Sequence, residues 1–482
     1  IFHSAAQIFS SLRDYKNTIK HYEKAYKLSP DNIQIATEYH ETARKICDWE
    51  TCNKLDKQID LMLSKENCDF LTMPLTSILK NTDPKINQEI ARKYTIHNTK
   101  NILSIAKPFT HNKPKSKNSK LRIGYISSDI KRHPISYLLR GVFQHHDKES
   151  FEIYLYCTDE KDNSGYKKAI ESCADCVKYV DDISAYEIAK NIYDDEIDIL
   201  IDLNGHTGKS WIESLCLKPA AVQVSYLGFI GTMGADFIDY IITDEIVTPP
   251  DIQKFYNEKF YYMPNSYQAN DDKLQISDKE ITHKDENLPE DAFIFCCFNQ
   301  AMKIDPLMFE SWMRILKNVD NSVLWLFGDN MHEGENLVEK NLSKEAKKHG
   351  IDPNRLIFAK YASLNEHLKR ISLADIALDT RIYNGGTVTS NMLWAGVPVL
   401  TLQGTHFASR MSSSILTAIG LEELITHNIE DYEKMAIDLG NNRKKIKSLK
   451  SKIQSNRKSS PLFDTKGFTK DLEKAYKDMA KK

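Results

Sequence analysis

Two kinds of apolar spacing divide the chain. Over the first 106 residues apolar positions recur every three or four residues. In RDYKNTIKHYEKAYKLSPDN (Arg13 to Asn32) they are Tyr15, Ile19, Tyr22, Ala25, Tyr26 and Leu28, followed by Pro30. That spacing lines one face of a helix, and proline closes it. Asp14-Tyr15 recurs as Asp48-Trp49, 34 residues on, which is the period of the tetratricopeptide helix-turn-helix repeat. Such a unit cannot bury its apolar faces alone, so it needs further repeats upstream or a domain to dock on.

After residue 120 the pattern changes to short, continuous apolar runs. LRIGYIS (121–127), FEIYLYC (151–157), IDILIDLNG (197–205), VQVSYLG (222–228) and YIITD (240–244) form one set, several of them separated by helical stretches. FIFCCFN (293–299), SVLWLFG (322–328), RLIFAK (355–360), DIALDT (375–380) and VPVLTL (397–402) form a second. Alternation of this kind predicts two doubly wound, parallel α/β lobes. Two such lobes facing one another imply a cleft, and open α/β sheets bind ligands beyond the carboxyl ends of their strands. Between the helical and α/β parts, KPFTHNKPKSKNSK (107–120) carries five lysines, two prolines and no acid, and reads as an exposed basic linker. The expected organisation is a helical region (1–106), the linker (107–120), an N-terminal lobe (121–287), a C-terminal lobe (288–460) and a closing helix (461–482).

Composition narrows the class. Lys+Arg 65 against Asp+Glu 67 leaves no basic excess for nucleic acid or an anionic membrane. There is no apolar run of 18 residues, and IFHSAAQIF lacks the basic lead of a signal peptide. Nine scattered cysteines fit reduced thiols in a cytoplasmic protein. Cys173 and Cys176 make one CADC without a second pair or a His partner, which is weak ground for a metal, and Cys296-Cys297 read as buried strand residues.

The polar residues of interest lie just past predicted strands. YNGGTVTSNMLWAGVPVL (383–400) follows DIALDT. Gly385-Gly386 permit close backbone approach, and Thr387, Thr389 or Ser390 can cap the helix that follows. The free N–H groups at the start of that helix suit an anion. Gly396 ends the helix. A capped structural turn fits the same residues. Gln300 and Lys303 follow the FIFCCFN strand, a donor and a point charge for a phosphate. SLNEHLKR (363–370) shows a Ser363/Glu366 capping box with His367 and Arg370 on one face, a geometry fit for a base. In the first lobe, His133 precedes Pro134 on a defined turn, a general acid or base candidate. DLNGHTG carries Asn204 and His206, and LGFIGTMG carries Leu227, Gly228 and Thr232. No Asp-x-Asp, G-x-G-x-x-G, G-x-S-x-G or Walker motif occurs.

Taken together, LRIGYISSD…HPISYL, DLNGHTG, LGFIGTMGADFIDYIITD, FNQAMKIDP, EHLKR…LADIALDT, NGGTVTSNMLWAGVPVLT, ASRMSSSIL and SPLFDTKGFT, in order over about residues 120–475, resemble the O-linked N-acetylglucosamine transferases and the related SPINDLY proteins. The resemblance implies a GT-B fold of two Rossmann-like lobes behind a tetratricopeptide-like region. It also implies an inverting enzyme that transfers a sugar, N-acetylglucosamine from UDP-GlcNAc, to Ser/Thr of a polypeptide, with no cofactor and no metal. The first lobe would serve the acceptor and the second the nucleotide sugar, and the repeats would offer a surface to a protein partner. By position, Lys303 and Gln300 match the diphosphate-contacting pair. His367 and Arg370 match the uracil pocket, with Ala362 as a backbone contact. Gly386, Thr387 and Val388 match the pyrophosphate loop, and Asn391 a ribose contact. His133 matches the active-site histidine and, with Lys303, is the catalytic candidate. Asn204, His206, Leu227, Gly228 and Thr232 would line the acceptor or sugar pocket. The chain departs from the family at Asn391 (Asp), Val388 (Thr), Ile230 (Pro) and Leu364 (Lys in the animal enzymes). An Asn N-glucosyltransferase, an O-fucosyltransferase, or a repeat scaffold with a degenerate transferase body are the alternatives.

Overall fold

The computed structural model describes residues 1–63, 71–111, 120–158, 162–328 and 336–481. Most of the linker expected over 107–120 lies outside the described residues. The chain forms two compact units. One comprises residues 1–71, 276–403 and 423–454, the other residues 72–275, 404–422 and 455–482.

In the first unit, four helices, Phe2–Ser11, Tyr15–Leu28, Ile33–Lys45 and Trp49–Leu63, make two helix-turn-helix pairs. The 34-residue spacing recurs in the backbone. Asp14 Oδ1 accepts from Asn17 N at 3.1 Å and Asp48 Oδ1 from Thr51 N at 3.2 Å, so each aspartate caps the second helix of its pair. The residue before each, Arg13 or Cys47, turns the chain at a φ of 58° or 55°. Tyr22, Ala25, Ile35, Ala36, Tyr39, Leu55 and Ile59 supply the buried face.

The expected strands all form. In chain order they are β1 (Leu121–Ser127), β2 (Phe151–Cys157), β3 (Cys176–Tyr179), β4 (Ile199–Asp202), β5 (Val222–Ser225), β6 (Tyr240–Thr243), β7 (Lys259–Tyr262), β8 (Phe293–Cys297), β9 (Ser322–Phe327), β10 (Leu356–Ala359), β11 (Ile376–Leu378), β12 (Val399–Leu402) and β13 (Ile425–Thr426). Among the described residues they pair as two wholly parallel sheets, β3-β2-β1-β4-β5-β6-β7 in the second unit and β10-β9-β8-β11-β12-β13 in the first. β1 lies between β2 and β4, with Ile123 opposite both Ile153 and Ile199. Ile123, Tyr125, Ile153, Leu155, Ile199, Ile201 and Val224 are buried in one core. Helices on both faces explain why these strands are continuously apolar rather than alternating. β3, β7 and β13 were not expected. They edge the sheets or are two residues long, and bury too little to leave a signal.

The chain's last helix, Thr465–Met479, seats Leu472, Ala475, Tyr476 and Met479 in the core of the β1 sheet. Tyr476 Oη lies 2.8 Å from Tyr125 Oη, and Glu473 Oε1 3.0 Å from His146 Nδ1. Cys296 and Cys297 are buried in β8 as expected. No helix among the described residues is long and apolar enough to cross a membrane.

Candidate active site

In the sheet around β8 and β11, the glycine loop starts where β11 ends. Asp379, 2% exposed, organises it. Its Oδ1 accepts from Thr380 N (2.9 Å), Gly385 N (2.8 Å) and Asn299 Nδ2 (3.2 Å), and its Oδ2 accepts from Thr401 Oγ1 (2.8 Å). A Cβ on Gly385 would fall 2.6 Å from Thr389 Oγ1, so any other residue would force Thr389 to shift. The helix runs Thr387–Trp394 with Gly386, which has no side chain of its own to offer as a cap, at its N-cap. Thr387 is the first helical residue, Thr389 and Ser390 are buried within the helix, and N–H groups of a first helical turn, here those of Thr387 and Val388, have no carbonyl within the helix to bond and suit an anion. Asn391 lies one turn on from Thr387, 8% exposed. Gly396, at a φ of 85°, ends the helix as expected.

Lys303 reaches this loop from a short 3-10 turn, Ala301–Lys303, that follows β8. Its Nζ donates to Asn384 O at 3.0 Å and stands 4.1 Å from the centre of the Tyr383 ring. Burial lowers its pKa to about 8, against the opposing pull of the Asp379 carboxylate. Gln300, the N-cap of the turn, is exposed.

His367 and Arg370 do meet, one turn apart on helix Leu364–Ile371. Arg370 Nε donates to His367 Nδ1 at 3.1 Å, which leaves the imidazole proton on Nε2. Phe298 meets His367 edge-on with ring centroids 4.9 Å apart, and the Arg370 guanidinium lies over the Phe298 ring. Arg370 is pinned by Lys360 O (2.6 Å) and by Glu286 (3.6 Å). Burial, and then Arg370, hold His367 down at about 3, so it is a neutral donor at any ordinary pH. Ala362 stands half-buried just before this helix. The expected capping box is incomplete: Ser363 does not cap the helix with its side chain, and its Oγ donates instead to Glu366 Oε2 at 3.1 Å.

In the β1 sheet, the polar loops also gather at the carboxyl ends of strands. Asn204 is fully buried and fully engaged. It accepts from Ser128 N (2.8 Å) and Trp211 Nε1 (3.0 Å), and donates to Ser128 Oγ (3.0 Å) and Asp129 Oδ2 (2.7 Å). Its amide ties the loop after β4 to the loop after β1. His133 caps helix Pro134–His145, its Nδ1 accepting from Ile135 N at 3.3 Å, with Asp129 3.9 Å away. That bond places the ring proton on Nε2. His206 is 2% exposed; its Nε2 bonds Met233 O at 2.9 Å, its Nδ1 is buried without a partner, and burial lowers it to about 4. Leu227, at a φ of 70°, centres a γ-turn closed by Gly228 N to Tyr226 O at 2.9 Å. A Cβ on Gly228 would lie 1.9 Å from Leu203 O. Thr232 donates to the fully buried Glu258 at 2.7 Å. No group of three or more His, Cys, Asp or Glu among the described residues is arranged to hold a metal ion.

A family model, glycosyl transferase family 41, matches residues 46–282 and 274–472. The chain belongs to this family. A probable UDP-N-acetylglucosamine–peptide N-acetylglucosaminyltransferase SEC of Arabidopsis thaliana is 37% identical over 90% of the chain and 46% of its own length. A probable enzyme of the same description, SPINDLY of Oryza sativa, is 30% identical over 76% of the chain and 39% of its own. The chain thus spans less than half the length of these curated relatives. The structure of a mutant O-GlcNAc transferase of Thermobaculum terrenum is 23% identical and superposes at a TM-score of 0.85 over 99% of this chain and 90% of that one. The fold is therefore the GT-B fold of family 41, two Rossmann-like lobes with a helical N-terminal region.

Some residues that shape this family 41 site gave little sign in the sequence. Asp379 ends an apolar run, and its role lies in backbone N–H groups that a sequence does not display. Tyr383 and Asn384 hold Lys303 through a ring face and a carbonyl. The strand-end position of each was the available clue.

Proposed function

We propose that the protein is a glycosyltransferase that moves a sugar, N-acetylglucosamine from UDP-GlcNAc, onto Ser/Thr hydroxyls of polypeptides, with inversion and without a metal. The names of its family 41 relatives supply the donor and the peptide acceptor. The observation that carries the reading is the Lys303 ammonium held at Asn384 O, two residues before the Gly386 N-cap of helix Thr387–Trp394.

The chemistry follows from charge. Attack of the acceptor oxygen on the anomeric carbon breaks the bond to the diphosphate, and negative charge grows on the leaving oxygen. Lys303 and the N–H groups of Thr387 and Val388 are fixed donors aimed at such charge, which is preorganised stabilisation. The neutral His367, with its proton on Nε2, and the pinned Arg370 offer donors and a flat face to the uracil. Asn391 keeps a hydrogen-bonding head for the ribose without a charge. His133, bonded through Nδ1 to Ile135 N, carries its ring proton on Nε2 and so suits orienting an oxygen rather than removing a proton. The hydroxyl proton then passes to a phosphate oxygen of the donor as the bond breaks.

A hydrolysis screen over UDP-GlcNAc, UDP-Glc and GDP-fucose, with Lys303→Ala as control, tests this. Turnover of UDP-GlcNAc that depends on Lys303 is the expected result. Absence of both turnover and nucleotide binding with every donor would overturn it. Mass spectrometry of modified peptides reports Ser/Thr or Asn linkage.

A further inference from the structure

The turn that carries Gln300 and Lys303 is held from the helical repeats. Arg44, near the end of helix Ile33–Lys45, donates from Nε to Met302 O at 2.9 Å. Cys47, in the tight turn that follows, points Sγ at Ala301 O, 3.4 Å away. Both carbonyls belong to the turn Ala301–Lys303. Around them, Asn341 Nδ2 donates to Ile46 O at 2.9 Å, Lys344 pairs with Glu50 at 3.0 Å, and Trp49 meets Phe309 with ring centroids 5.3 Å apart. All of these residues lie in one compact unit.

Comparison of the two repeats argues that this contact is specific. Arg13 and Cys47 occupy the same repeat position with the same left-handed φ, yet Arg13 is exposed while Cys47 is 1% exposed against the Lys303 turn. A small thiol replaces a long cation where the repeat docks. Short 3-10 turns are set by few internal bonds, here Lys303 N to Gln300 O and Ile304 N to Ala301 O. Two further donors, reaching the turn from more than 250 residues away in the chain, therefore fix where Lys303 starts.

We infer that Arg44 and Cys47 are positioning residues for Lys303, so that the helical repeats are a working part of the donor-phosphate site as well as a surface for protein partners. The inference rests on the donor-site reading above. It separates two roles of the repeats: a peptide-binding role acts only on acceptor kinetics, whereas this one acts on UDP alone.

UDP titration of the full chain, with no acceptor present, tests it. Arg44→Ala is expected to weaken UDP binding about tenfold, because a displaced charge no longer meets its phosphate. Arg44→Lys, which still reaches a carbonyl with an N–H, recovers most of that loss. In a Lys303→Ala background Arg44→Ala has little further effect, the signature of two residues acting as one. The alkaline limb of UDP affinity moves upward in Arg44→Ala as Lys303 regains water. If Arg44→Ala does not fold, Cys47→Ala against Cys47→Ser makes the same comparison, with only the serine variant keeping a donor. Wild-type affinity in Arg44→Ala, or an equal loss with and without Lys303, would overturn the inference and leave the donor site standing. A wild-type chain that binds no UDP would overturn the donor-site reading and this inference together.

Discussion

Replacing Asp379 by Asn changes one atom and one charge at the root of the glycine loop. The carboxylate accepts from Thr380 N, Gly385 N and Asn299 Nδ2 on one oxygen and from Thr401 Oγ1 on the other, at 2.8–3.2 Å. The amide oxygen fits best at the three-donor position, which turns the new NH2 group onto the Thr401 hydroxyl. Three bonds then lose their ionic assistance at about 1 kcal/mol each, and the fourth is rebuilt as a neutral contact. Relief from burying a charge offsets part of this. The net is about 2 kcal/mol, or roughly 4–8 °C on the melting transition of a unit of this size. A second effect follows from sign. Asp379 holds the Lys303 ammonium up against the burial that lowers it to about 8. Without that charge Lys303 loses its proton at lower pH, and UDP affinity declines earlier on the alkaline side. Calorimetry reads the first effect and UDP titrations from neutral to alkaline pH the second. An unmoved transition together with an unchanged pH dependence would refute the role given to Asp379.

In the wild-type chain, UDP affinity should fall above about pH 8, where the free protein's Lys303 becomes neutral. No acid limb from His367, held at about 3, should appear in the same titrations above pH 5 or so. Asn204→Leu removes four side-chain hydrogen bonds and leaves Ser128 N and Trp211 Nε1 buried without partners; a loss of about 3 kcal/mol in denaturant unfolding is expected. Gly228→Ala drives a Cβ to 1.9 Å from Leu203 O, so the loop must move; expression of soluble protein should drop sharply, as a solubility assay would show.

Much of the fold was legible because parallel strands buried on both faces are continuous apolar runs; β1, β2, β4, β5, β6 and β8 to β12 each left one. β3 was hidden because Cys176, Val177 and Lys178 are only partly buried and Tyr179 is exposed. The closing helix was legible as a helix, but its partner was not: the Tyr125–Tyr476 contact joins residues 351 apart. At the site, Lys303, His367 and Arg370 stood out as polar residues just past strand ends. Asn204 looked like a free polar group on a glycine loop, and in the structure its whole hydrogen-bonding capacity is used internally. The Ser363 box failed in part because Glu366 draws the serine hydroxyl to itself. Arg44 and Cys47 could not have been found, since repeat spacing shows which face is apolar but not which carbonyl a turn will meet.

Isothermal titration of UDP into the wild-type chain and into Lys303→Ala at neutral pH tests the donor site most directly. Saturable binding by the wild type, with affinity lowered roughly a hundredfold or more in the variant, is the predicted result. Equal binding by both proteins, or none by the wild type, would contradict it.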